Sequence, residues 1–260
     1  MSFADLLAAA KPLDGGGFAA AIPGDWHQGR TAYGGFSSAL ALTGAMQVGG
    51  ELPPLRSAQV SFVGPLHSEV EVRARKLRSG RNATWVAAEV SREGDVGLLA
   101  SFVFMGPVES ALHLNDRPAP DGVIAPEEAQ LFGMKHSPEF LRNHFEVRFA
   151  LSKGYEKRPE LCWWVRTKER QGLDPMVALV LIADALPPGV LPLLGPGVPI
   201  SSMTWQCNLL TPVPATRDGW WLLRSTGDYS EKGCSSQRME IWNADGEPMM
   251  AGMQSVAVFG

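Results

Sequence analysis

Met176–Leu186 reads MVALVLIADAL, ten apolar residues and one carboxylate, Asp184. A helix that is apolar on every face has to be buried on every face. Asp174-Pro175 just upstream offers a capping side chain and a residue suited to the first helical position, and Pro187-Pro188-Gly189 ends the run. The segment is far too short to span a membrane, so a sheet must cover it.

Strands suited to that task follow. Ser202–Leu210 (SMTWQCNLL) closes at Thr211-Pro212, and Trp220–Ser225, Ser235–Asn243 and Pro248–Phe259 come next, with Asp245-Gly246 as the last turn. The first half of the chain has the same order. Tyr33–Val48 (YGGFSSALALTGAMQV) carries no charge and is a second enclosed helix. Ser57–Val63, Glu69–Leu77, Thr84–Ser91 and Val96–Met105 are predicted strands, the last two joined by Glu93-Gly94-Asp95. Pro65 and Pro212 lie 147 residues apart, Gly94 and Gly246 152, and Ala100 and Ala251 151. Landmarks at a nearly constant offset point to a duplicated unit. One apolar helix followed by antiparallel strands buries all its faces only inside a curved sheet, which is the hotdog arrangement. The predicted fold class is α+β, a double hotdog of two tandem repeats. The first covers residues 1–106 and the second, which holds the candidate catalytic residues, 141–260. Residues 107–140, rich in Pro and polar residues, form a linker with a short helix at Pro126–Phe132.

Of the 260 residues 45% are hydrophobic, enough for a sizeable core. The net charge is −4 and the Lys and Arg residues are scattered, which gives a nucleic acid no electrostatic footprint. A small polyanion needs only a few local basic groups. Cys162, Cys207 and Cys234 are odd in number and far apart, and the five histidines lack metal-ligand spacing, which argues against a disulfide framework or a zinc site. The N-terminus has neither the basic start nor the apolar length of a signal peptide. These features predict no metal, no membrane span, and a reducing, cytoplasmic setting. Gly35-Phe36-Ser37-Ser38-Ala39 lacks the final glycine of a serine-hydrolase elbow. Asp14–Phe18 (DGGGF) runs into a Pro-containing loop instead of a helix, so it is no phosphate cradle. Trp163-Trp164 and Trp220-Trp221 read as sheet packing.

Asp184 is the anomaly. Burial would raise its pKa, which suits a general base or a group that polarises water. The opposing reading is a frayed helix end with Asp184 in solvent, since the macrodipole disfavours a carboxylate there by up to about 1 kcal/mol. The matching stretch of the first helix, Thr43-Gly44-Ala45, has no acid, so only one of the two pseudo-symmetric sites could be active. Gly34 and Gly35 allow close approach to backbone N–H groups at a positive helix end, suited to an oxyanion; tight packing of the helix start explains them equally. Ser202 and Gln254, taken alone, are ordinary polar strand residues.

In order and spacing, four blocks resemble the acyl-CoA thioesterase II family: Tyr33-Gly34-Gly35, the segment Ser57–Phe104, the helix ending Ala183-Asp184, and SSMTWQCNLLTP through NADGEPMMAGMQSVAVF. That family places an Asp on the second helix, a Thr or Ser at the start of the next strand and a Gln on the last strand. The resemblance therefore implies Asp184, Ser202 and Gln254 as the group that activates a water, with Ser201 as the alternative hydroxyl. Where the family often has Asp two residues after that hydroxyl, this chain has Thr204. The resemblance further implies oxyanion stabilisation near Gly34 and Gly35, an acyl-CoA substrate with coenzyme A as part of it and no other cofactor, a role in lipid metabolism, and a homodimer or larger homo-oligomer. Two other readings stay open. One is a non-catalytic acyl-CoA-binding module. The other is an enoyl-thioester hydratase or dehydratase, whose sites pair an acid with a His; no His follows Asp184 within its helix.

Overall fold

In the computed structural model, which describes residues 1–133, 137–151, 158–169 and 171–260, the chain opens with α1 (Phe3–Ala8), whose first turn is capped by the Ser2 hydroxyl. Four short strands follow: β1 (Lys11–Pro12), β2 (Phe18–Ile22), β3 (His27–Gln28) and β4 (Thr31–Ala32). Then come α2 (Gly34–Gly49), β5 (Leu55–Phe62), β6 (Ser68–Ser79), β7 (Ala83–Arg92) and β8 (Asp95–Met105). The second half contains α3 (Glu139–His144), β9 (Phe145–Phe149), β10 (Glu160–Thr167), α4 (Pro175–Ala183), β11 (Ile200–Leu209), β12 (Trp221–Glu231), β13 (Cys234–Asn243) and β14 (Pro248–Val258).

The long strands form one antiparallel sheet in the order β1-β2-β6-β7-β8-β5-β11-β14-β13-β12-β10-β9. Read outward from its centre the order is the same on both sides, the pattern of two hotdog repeats set side by side. The halves join where β5 pairs with β11, from Ser57↔Asn208 to Ser61↔Thr204. Both apolar runs are helical and enclosed as expected. Asp174 accepts from the N–H groups of Met176 and Val177, with Pro175 in the first turn of α4. α2 packs on β6, β7, β8 and α4, and Phe36, Leu40, Ala41 and Leu42 are fully buried. The β7–β8 turn places Glu93 and Gly94 at φ 53° and 88°, the double positive φ of a tight hairpin. No helix among the described residues is long and apolar enough to cross a membrane.

Three local expectations are corrected. The stretch after Asp14–Phe18 is a strand, because β2 pairs with β6 from Phe18↔Val72 to Ile22↔Ser68, with Pro23 just past its end. Pro126–Phe132 is a turn and not a helix. The Glu128 and Ala129 N–H groups close one turn on the Ala125 carbonyl, and beyond it the sheet edge takes over: the Phe132 N–H donates to the Val147 carbonyl and the Phe149 N–H to the Gln130 carbonyl. Finally, α4 stops at Ala183, three residues before Leu186. The prolines at 187 and 188 lack the N–H groups a further turn would use.

The segment from Arg117 to Ala129 also covers part of the sheet. Trp164, Trp220 and Trp242 form a second buried cluster with Ala129 beneath it. The indoles of Trp164 and Trp242 donate to the carbonyls of Ile124 and Arg117 at 2.8 and 2.9 Å. Trp163 faces the main core instead. The paired tryptophans are thus sheet packing, one on each face.

Candidate active site at the meeting of the two helices

Asp184 is the C-cap of α4. The end of α4 lies against the start of α2, tied there by the Tyr33 hydroxyl, which donates to the Leu181 carbonyl at 2.9 Å. The Gly35 N–H donates to the Asp184 carboxylate. A Cβ added to Gly34 would collide with Asp184 Oδ2 and crowd the Phe62 ring, and one on Gly35 would strike the Leu181 carbonyl. The glycines therefore allow two helix ends to touch, and a carboxylate to sit on the positive end of a helix. The dipole of its own helix disfavours Asp184, and that of the neighbouring helix compensates.

The other oxygen faces the sheet. Gln254, inward-facing on β14, donates Nε2–H to Asp184 Oδ1 at 2.9 Å. Gln254 Oε1 accepts from Gln237 Nε2 at 2.6 Å, and Gln237 Oε1 accepts from the Gly189 N–H at 2.7 Å. Gln237 and Gln254 are directly cross-strand on β13 and β14, and both are buried. Asp184 is half-buried, with its carboxyl group drawn out of water. That desolvation raises its pKa to about 7, while the Gln254 amide and the Gly35 N–H hold the rise back. Burial, and then the charge of Asp184, push the Tyr33 phenol well above its ordinary range, so it is a neutral donor at any physiological pH.

The structure thus brings together Asp184, Gln254 and Gly35, with Gly34 against the same carboxylate. Ser202 lies on β11 opposite Val256, just before a bulge that ends at Thr204↔Ser255. It is half-buried and Ser201 is exposed. The hydrogen bonds of the Asp184 and Gln254 side chains run to each other, to Gln237 and to the Gly35 N–H, not to either serine. Trp205, the cross-strand neighbour of Gln254, is buried and its indole N–H has no acceptor among the described residues. Gln237 escaped the sequence reading. Its one signal is register: it shares the inward face of β13 with Met239 and Ile241. No group of three metal-binding side chains occurs among the described residues.

Comparison with known proteins bears on this arrangement. Residues 22–105 match the acyl-CoA thioesterase N-terminal domain and residues 117–258 the acyl-CoA thioesterase C-terminal domain. Among solved structures, the chain is similar to a hot dog fold protein of unknown function from Alicyclobacillus acidocaldarius, at 21% identity and TM-score 0.87 over 100% of this chain and 99% of that one. It is similar to the tesB protein of Mycobacterium avium subs paratuberculosis, at 16% identity and TM-score 0.78 over 99% of each chain. It is also similar to the acyl-CoA thioesterase II TesB2 of Mycobacterium marinum, at 16% identity and TM-score 0.77 over 99% of this chain and 98% of that one. At these identities the structural likeness speaks to the fold. No curated protein matches the chain.

Proposed function

We propose that this chain, which belongs to the acyl-CoA thioesterase family, hydrolyses an acyl-CoA to a free acid and coenzyme A, with Asp184 directing the attacking water. The observation that carries this reading is a carboxyl group held between the Gly35 N–H and the Gln254 amide in an apolar setting, with its pKa raised to about 7. A base poised near the working pH both takes a proton from water and returns it.

In this reading water adds to the thioester carbonyl carbon as Asp184 takes its proton. The tetrahedral oxyanion then collapses, the C–S bond breaks, and the proton on Asp184 passes to the leaving thiolate. Gln254 holds the carboxylate and the water in line. Because the Gly35 N–H is committed to Asp184, the Gly34 N–H at the first helical position is the donor we assign to the oxyanion. Ser202 supplies a hydroxyl for the same water from the neighbouring strand. No metal or further cofactor enters, since a thioester is already electrophilic and coenzyme A is part of the substrate.

The test is a thiol-release assay over short, medium, long and aromatic acyl-CoAs, on wild type and Asp184→Asn. We expect turnover of at least one class in the wild type and a loss of at least about 100-fold in the variant. Near wild-type turnover in the variant would remove Asp184 from the chemistry. A folded wild type inert on every class would defeat the thioesterase reading itself.

A further inference from the structure

Two amides in series lead to Asp184, Gln237 to Gln254 to the carboxylate, and the outer one, Gln237, has no place in the reaction written above. An amide can present either its oxygen or its NH2 group to a neighbour, so the polarity of such a chain has to be set by a group that cannot turn. Here that group is the Gly189 N–H. A backbone N–H only donates, so the Gln237 atom it meets at 2.7 Å is the oxygen. The NH2 group of Gln237 then faces Gln254, the Gln254 atom facing it at 2.6 Å is the oxygen, and the NH2 group of Gln254 is left for Asp184. Gly189 itself is held in place. A Cβ there would strike the backbone of Ser225, Thr226 and Gly227 on β12, and Pro187 and Pro188 before it have no N–H to offer in its stead.

The duplicated half supplies a control. At the matching cross-strand place β7 and β8 carry Val86 and Phe102, both fully buried and apolar. The fold therefore builds this position from hydrocarbon where no carboxylate lies beyond it. Two buried amides in the second half are not required by the architecture, and each buried polar group has to be matched by a partner.

We propose that Gln237 is a positioning residue for the reaction: it fixes the Gln254 amide so that N–H, and never oxygen, faces Asp184. This rests on the thioesterase reading only for its effect on rate; the orientation itself follows from the hydrogen bonds. Without Gln237 the Gln254 amide is free to turn. Its oxygen against Asp184 is compatible only with a protonated carboxyl, so the population of the base at neutral pH falls. Among the described residues, the other groups against the carboxyl do not titrate in this range. They are the Tyr33 phenol and the Gly35 N–H from the start of α2, the Phe62 ring of β5, and Gln254 of β14.

The experiment compares wild type with Gln237→Met, which keeps length and removes the amide, and with Gln237→Glu. The Glu can satisfy the Gly189 N–H and then forces Gln254 to turn its NH2 group away from Asp184. The carboxyl is titrated directly by carbon-13 NMR, its signal assigned by its loss in Asp184→Asn, and thiol release is measured from pH 5 to 9. We expect the Asp184 titration to move up by about one pH unit in Gln237→Met, and further in Gln237→Glu. In activity we expect an acid limb displaced by the same amount, with kcat at pH 7 down roughly 5- to 10-fold and KM within about twofold. A Gln237→Met titration that coincides with wild type overturns the proposal, and so does a loss of rate at all pH values without displacement of the limb. If no acyl-CoA is hydrolysed the thioesterase reading fails, and the NMR titration still decides the orientation. If neither variant folds, the wild-type side-chain amide protons decide. The relay requires the NH2 groups of both glutamines to be protected from exchange, and free exchange overturns it.

Discussion

Replacing Asp184 with Asn should make the protein more stable than wild type as the pH rises, although it abolishes the proposed chemistry. Burial lifts this carboxyl from 3.8 to about 7, while in the unfolded chain it titrates at its ordinary value. Between those two values the native state holds a proton that the unfolded state has lost. Stability therefore falls as pH increases through that window and levels off above it. At about 1.4 kcal/mol per unit the whole span corresponds to roughly 4 kcal/mol, trimmed by screening because Asp184 is only half-buried. The part between pH 5 and 8 is about 2 kcal/mol. Asn carries no titration, so this contribution is absent from the variant. The attraction of the α2 N-terminus, which Asn loses where Asp184 would be charged, is already contained in the raised value through the Gly35 N–H and adds no separate contribution. Urea denaturation of both proteins at pH 5 and pH 8 measures the difference. The gap should move in favour of Asn by about 1–2 kcal/mol on going to pH 8, and a gap independent of pH would refute the argument.

Two further outcomes follow from the same geometry. The profile of kcat/KM against pH in the wild type should show an acid limb near pH 7, where Asp184 loses its proton; activity undiminished at pH 5 would mean that Asp184 is not the base. Gly34→Ala places a methyl group into Asp184 Oδ2 and the Phe62 ring, so thiol release should drop at least about 10-fold, with a stability loss of about 1–3 kcal/mol by thermal melting; a variant with wild-type kinetics would show that the helix start gives way freely.

The fold was legible because its signal is strong and local. Two helical runs with a single charged residue between them leave a curved sheet as the only cover, and the offsets between Pro65 and Pro212, or Gly94 and Gly246, point to the duplication. The short strands β2 and β9 were not legible, because five residues whose pairing lies elsewhere in the chain carry no period of their own. Asp184 stood out through its isolation among apolar neighbours. What no local pattern could show is where it points: the donor that receives it, the Gly35 N–H, is about 150 residues away and belongs to another helix. The residues 126–132 look helical in composition, yet after one turn the backbone groups of Gln130 and Phe132 are claimed by β9. Gln237 sits in SSQRMEIWN among other polar residues, and only cross-strand register sets it apart from the solvated ones. Ser202 was named through resemblance alone, and its strand places it opposite Val256.

The site draws on both repeats at once, with Gly35 and Phe62 from one and Asp184, Gln237 and Gln254 from the other. In a protein assembled from two separate chains, such a site would dissolve on dilution. Here covalent fusion turns its assembly into a first-order event at a fixed effective concentration. Each polypeptide brings Asp184, Gln254 and Gly35 together within itself as it folds, and either half of the candidate site can change without changing the other.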